Sequence, residues 1–228
     1  MMALLMAIVG LTVTVNGADL TIDSWLNVPT LYGGQANITL DGSQRTVYAG
    51  QLRATVAESG LQWISYCTDL GATLSSGPYT QMSLSAAQAL PAWQTPDWAP
   101  GGIERASQLY IRFGPEVSSP KEAVALQALI WDALYDETPS LTAGRFQLSA
   151  SGTTAGVVGQ ANSWIHEDHE DTHSTAHSSW WGPSDLSGQY RLGQGLVSNI
   201  EIVPEPSTYA LLIAAVPICA YTFLRRRN

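Results

Sequence analysis

Two residues of this chain are of types that could react with each other. Cys67 closes the run Leu61-Gln62-Trp63-Ile64-Ser65-Tyr66-Cys67, and Gln127 sits within Ala123-Val124-Ala125-Leu126-Gln127-Ala128-Leu129-Ile130-Trp131. The chain has two cysteines, and the other, Cys219, lies in an apolar C-terminal tail. A single cysteine in the body of an exported protein either bridges two molecules or stays a reactive thiol. Gln127 is the one polar residue among nine, and a buried carboxamide without partners costs roughly 1–3 kcal/mol. Attack of the Cys67 thiolate on the Gln127 side-chain carbonyl would expel ammonia and leave an internal thioester. The product has shed the two amide donors and holds an activated acyl group that an amine could take.

The flanking residues resemble the thioester domains of bacterial surface proteins. There a cysteine in a Tyr-Cys-x-Asp context joins a glutamine in a Gln-x-x-Ile-Trp context. The matching residues are Tyr66-Cys67-Thr68-Asp69 and Gln127-Ala128-Leu129-Ile130-Trp131. Tyr48-Ala49-Gly50-Gln51-Leu52 and Arg105-Ala106-Ser107-Gln108-Leu109-Tyr110 extend the resemblance to roughly residues 45–137. One departure is Leu126, where that family commonly has threonine. The resemblance implies a Cys67–Gln127 crosslink, with Tyr66, Asp69 and Trp131 in support. It also implies attachment to an amine-bearing surface or matrix polymer. Such attachment is used once per molecule, so no turnover and no cofactor are expected.

These groups need particular surroundings. Cys67 needs thiolate character from a helix N-terminus or a nearby cation, and Arg105 and Arg112 are the cations considered. A stored thioester needs water kept away, and Trp63, Tyr66 and Trp131 are the aromatic residues nearest in sequence. Asp69 reads as a residue that fixes a turn or a strand end rather than as a base.

The elements that position them are legible in outline. Residues 19–80 are rich in β-branched and aromatic residues between turns such as Asp41-Gly42-Ser43 and Glu58-Ser59-Gly60. Strands are expected at Thr46–Tyr48, Leu52–Val56 and Leu61–Thr68, the last with Leu61, Trp63, Ser65 and Cys67 on one face. Helices are expected at Ser83–Leu90, Ile103–Phe113 and from Ser119 to about Glu137. Ser119 is the expected N-cap of the third helix, Pro120 its first residue and Glu122 the reciprocal partner of a capping box. Its stripe of Ala123, Gln127, Ile130, Trp131 and Leu134 should face the core. Strands resume at Arg145–Ser149 and Leu196–Val203. Strands, then helices, then strands imply one α+β domain over residues 19–203, an antiparallel β-sheet or flattened barrel with a helical insert.

All four histidines, His166, His169, His173 and His177, fall within twelve residues among Asp and Glu. On a helix their spacing would share one face and suit a metal such as zinc. A solvated surface loop has the same composition, and residues 172–179 are poor helix formers.

The ends read as addresses. Residues 1–18 are an apolar run ending in small residues, as in a secretory signal peptide. Residues 204–228 hold Pro204-Glu205-Pro206, an apolar run from Tyr209 to Leu224 and Arg225-Arg226-Arg227. This order resembles the PEP-CTERM sorting signal of Gram-negative bacteria. It implies recognition of Pro204, Glu205 and Pro206 by an exosortase, transient inner-membrane anchoring, and a final place at the cell envelope or in the extracellular matrix. Net charge is −9, and without the three tail arginines the balance is 7 positive to 19 negative, or −12. Such a surface repels nucleic acid. Lys121 is the only lysine. Besides covalent attachment, two other readings stand: a structural envelope or biofilm matrix protein with unlinked Cys67, and a metal-binding protein built on the histidines.

Overall fold

The chain folds around a closed six-stranded barrel against which helices pack. The computed structural model describes residues 18–72, 74–89, 97–149, 156–170, 178–183 and 195–198, with backbone alone at 168–170 and 183. All of them belong to one unit, Asn16–Glu201. The strands are β1 (Ala18–Ser24), β2 (Gly33–Leu40), β3 (Ser43–Gly50), β4 (Leu52–Val56), β5 (Gln62–Cys67), β6 (Gly77–Ser83), β7 (Phe146–Leu148), β8 (Ser179–Pro183) and β9 (Leu196–Ser198). The helices are α1 (Leu84–Gln88), α2 (Gly102–Phe113), α3 (Pro120–Tyr135) and α4 (Val157–Glu170). The barrel runs β1-β4-β5-β9-β8-β6, and a separate antiparallel sheet runs β3-β2-β7. The expected α+β class and antiparallel pairing therefore hold, and the barrel alternative is the one realised.

The register fixes which side chains point inward. Trp63 pairs with Ala54, Leu52 with Ser65 and Cys67 with Leu196. Leu196 in turn faces Trp181. With two-residue alternation these side chains share one face of the wall, and the contact between Trp63 and Trp181 from non-adjacent strands marks it as the interior. Trp63 and Trp181 fill the barrel with ring centroids 5.0 Å apart. Tyr66, Val197 and Trp180 take the opposite face and meet α2. Tyr66 stands edge-on to Tyr110 at 5.9 Å, and the Trp180 Nε1–H donates to Ser107 Oγ at 2.9 Å.

Several sequence expectations shift. Ala18, read as the end of the leader, already pairs in β1 with Tyr79. Leu61 precedes β5 and is exposed, so the inward face begins at Trp63. β8 was not foreseen. Its Ser-Trp-Trp-Gly-Pro sequence lacks clean alternation because both faces of this strand are covered. The described part of the last strand is Leu196–Ser198, and residues 199–203 lie outside the described residues.

α3 is the central helix. The Ser119 side chain accepts from the Glu122 N–H, and Pro120 occupies the first turn as expected. The reciprocal half of the capping box differs. Glu122 Oε2 accepts from the N–H and Oγ of Ser118, one residue earlier, at 2.8 and 3.0 Å. The helix ends at Tyr135, two residues short of expectation. Every residue from Ala123 to Tyr135 is buried, so the apolar stripe is a helix covered on all sides. Its covers are α2, α4 and the sheet of β2, β3 and β7. A Cβ on Gly102 would stand 2.7 Å from the Ala133 carbonyl oxygen, which shows how closely α2 starts against the end of α3.

Gly50 ends β3 opposite Gly33 with φ of 139°, and a Cβ there would lie 2.5 Å from Gly33 Cα. Gly50→Ala is expected to lower unfolding free energy by roughly 1–3 kcal/mol in urea titration.

Candidate functional site

Gln127 and Cys67 meet where α3 crosses the mouth of the barrel. The Cys67 N–H donates to Gln127 Oε1 at 3.1 Å, and Gln127 Nε2 donates to the Cys67 carbonyl oxygen at 2.8 Å. These residues are 60 apart in sequence, and both bonds are buried. The carboxamide therefore has partners for its oxygen and its nitrogen, and the penalty for burying it unpaired does not arise. Its oxygen is already polarised by the main chain of the residue bearing the thiol. Cys67 is buried and forms no disulfide, while Cys219 lies outside the described residues.

A cavity of about 340 Å³ opens beside Cys67. Ser24, Leu52 and Cys67 reach it from β1, β4 and β5, and Trp131 reaches it from α3. Asp69, Leu70 and Leu74 come from the segment after β5. Trp25, Leu26, Val47 and Tyr48 complete a largely apolar wall. Leu26 and Tyr48 are more than half exposed, and Trp25 meets Tyr48 edge-on at 6.1 Å, so the collar at the surface is aromatic. Gln127 is not on this wall and joins it through Cys67. Barrel mouths with a few polar groups are common ligand sites.

Asp69 is tied into a turn. Its Oδ1 accepts from the Gly71 N–H at 2.6 Å and from the Tyr135 hydroxyl at 3.4 Å. The same hydroxyl accepts from the Leu70 N–H at 3.3 Å. This is the Asx geometry expected of a turn former. Burial nevertheless pushes its carboxyl above the ordinary value, against the Gly71, Tyr135 and Ala72 hydrogen bonds. Trp131 is 2% exposed, and its Nε1–H is buried with no hydrogen-bond partner.

The remaining expected residues fall elsewhere. Tyr66 points away from the cavity to Tyr110, and burial pushes its phenol well above the usual range. It backs the wall and does not cover the thiol. Trp63, on the other face of β5, is inside the barrel against Trp181. Arg105 donates to the carbonyl oxygens of Pro100, Ala133 and Asp136, closing the C-terminal end of α3. Arg112 lies over Phe113. Neither arginine lines the cavity beside Cys67, so the sequence-based source of thiolate character is corrected. His166 is an exposed residue of α4, and His169 belongs to that helix. His173, His177, Pro204, Glu205 and Pro206 lie outside the described residues. Among the described residues no group of three or more His, Cys, Asp or Glu is placed to hold a metal. Among them also, no helix is long and apolar enough to cross a membrane, and the apolar run from Tyr209 to Leu224 lies outside them.

One charged residue was passed over in the sequence. Asp132 is 1% exposed on the apolar helix α3 and accepts from the Ser140 N–H at 3.1 Å. A carboxylate inside an otherwise apolar helix is the signal that marks it. It lines a separate cavity of about 40 Å³ with Arg105. Burial, with Asp136 adding to it, pushes its pKa up to about 7, against Ser140 and Arg105.

Comparison with protein-family models, curated proteins and solved structures finds no match for this chain.

Two measurements check this description. Removing the Gln127 carboxamide takes away two buried hydrogen bonds to the main chain of residue 67, so Gln127→Ala in a Cys67→Ala background should lose roughly 2–5 kcal/mol. Asp132 is protonated more readily folded than unfolded, so its contribution is complete below about pH 4. It is lost as pH rises through about 7. Asp132→Asn should flatten that slope, which amounts to the order of 2–4 kcal/mol in unfolding titrations across pH.

Proposed function

We propose that this chain is an exported surface or matrix protein that stores an internal Cys67–Gln127 thioester and uses it to attach covalently to an amine-bearing partner. The observation that carries this reading is the reciprocal pair of hydrogen bonds between the Gln127 carboxamide and the Cys67 main chain. It sets the electrophilic carbon against the residue that bears the nucleophile.

The chemistry follows from that contact. Cys67 Sγ, as thiolate, adds to Gln127 Cδ, and negative charge develops on Oε1. The Cys67 N–H already directed at Oε1 stays bonded to that oxygen as it becomes an oxyanion. The carbon–nitrogen bond then breaks, the nitrogen takes up a proton, and ammonia leaves. Trp131 and the apolar wall beside Cys67 keep bulk water from the acyl group. An incoming amine forms an amide with residue 127 and returns Cys67 as a thiol. The near absence of lysine leaves few amines on the chain itself to compete.

The resemblance of Pro204-Glu205-Pro206 and its apolar, arginine-ended tail to the PEP-CTERM signal supports export and exosortase sorting in a Gram-negative envelope. A second reading has one observation in its favour. Both polar atoms of the Gln127 carboxamide are satisfied without a crosslink, so the pair could serve as a noncovalent strap in a structural matrix protein.

Intact mass separates the two. The thioester reading expects the purified protein to be short by one ammonia. It expects methylamine to restore that mass with one methylamine added and to expose one titratable thiol. It expects Cys67→Ala to abolish both changes. Full mass with a titratable Cys67 before any treatment would establish the strap.

A further inference from the structure

The cavity beside Cys67 has a chemical character that the crosslink alone does not require. Its wall is apolar and aromatic, with Trp25, Leu26, Val47, Tyr48, Leu70 and Trp131 contributing. Asp69 is the carboxylate on that wall, two residues beyond the thiol. The turn that carries it is pinned from both sides, by the Gly71 N–H on Oδ1 and by the Tyr135 hydroxyl shared between Asp69 and Leu70. The Trp131 Nε1–H, on a residue that lines the same cavity, is buried and has no hydrogen-bond partner. A fixed carboxylate in an oily pocket is a receptor for an ammonium group on an alkyl arm.

We infer that Asp69 is the amine-receiving residue of this site: it holds the incoming ammonium of an unbranched alkylamine and takes its proton, so that the neutral amine can attack. The inference rests on the thioester reading above. In the step, the Asp69 carboxylate accepts one proton from R–NH₃⁺ and gives R–NH₂. The nitrogen lone pair forms a bond to the acyl carbon of residue 127, and the carbon–sulfur bond breaks. Sγ leaves with the electron pair and takes the second proton from nitrogen. The products are an amide, the Cys67 thiol and a carboxylic acid at Asp69, which passes its proton to water. No oxidant or metal is needed. The apolar collar suits a lysine side chain or a polyamine, which share the alkylammonium group. It offers little to the hydroxyls of an amino sugar.

The groups around Asp69 are accounted for. Tyr135 faces it from α3, Tyr48 shares the cavity from β3, and Cys67 precedes it on the chain. Arg45 of β3 donates to the Leu70 carbonyl oxygen at 3.2 Å, so its charge is engaged next door. Burial makes Asp69 a stronger proton acceptor than an exposed aspartate.

Asp69→Asn tests this, because an asparagine Oδ1 can still accept the Gly71 N–H and hold the turn while the charge is gone. In the full chain, Asp69→Asn should still lack one ammonia in mass. It should react with methylamine about 10²-fold more slowly at neutral pH. With hydroxylamine, which is uncharged there, the loss should be much smaller. Lysine-containing peptide, spermidine and glucosamine then serve as probes of the wild type, with the first two expected to outrun the third. Wild-type methylamine rates in Asp69→Asn would overturn the role of Asp69, and glucosamine reacting as fast as the alkylamines would overturn the alkyl preference. A wild-type protein of full mass would overturn the thioester reading and this inference with it. Should Asp69→Asn fail to close the thioester, the wild-type pH profile decides. The rate per unit of total methylamine, nearly all of it methylammonium, should stay level above a carboxyl pKa and fall below it, and a rate that simply follows the uncharged amine would overturn the proposal.

Discussion

The arrangement depends on one contact, the carboxamide of Gln127 clasping the main chain of Cys67 through its own donor and acceptor. That contact joins the last residue of a barrel strand to the middle of a buried helix. Neither the barrel nor the helical layer alone would place the two residues together. Its geometry also limits what else either residue can do. A carboxamide held at both ends has one orientation, and a strand end held this way cannot fray.

The surroundings follow from the need to bury such a polar pair. α3 is covered on every side from Ala123 to Tyr135, which gives the amide a low-dielectric environment in which its hydrogen bonds are strong. The cost of that burial appears at the far end of the helix, where Arg105 ties off the Ala133 and Asp136 carbonyl oxygens. Asp132 shows the same environment acting on a carboxylate, which is driven toward its neutral form. The opening of the barrel is therefore the one described place where apolar wall, thiol and carboxylate meet.

Much of this was legible in the residues. Ser119-Pro120 announced the start of α3, and the β-branched runs announced β4 and β5, because caps and alternation are local signals. The pairing of Cys67 with Gln127 was legible from their oddness in context and from the resemblance of their flanks. What stayed hidden was non-local. Tyr66 sits beside Cys67 in sequence yet faces the other side of the wall, since neighbours on a strand alternate. The arginines looked available for the thiol until the folded chain gave them other partners. β8 carried no pattern because tandem tryptophans fill both faces of a strand inside a closed ring.

Closure of the barrel has a consequence for the protein at high concentration. A closed ring of strands offers no unpaired backbone rim to a neighbouring copy. The remaining sheet has two outer strands, β3 and β7, but the first half of β3, Ser43-Gln44-Arg45-Thr46, is exposed and polar, and β7 is only 3 residues long. Crowded molecules are thereby discouraged from zipping together edge to edge, so aggregation does not compete with whatever contacts the barrel mouth makes.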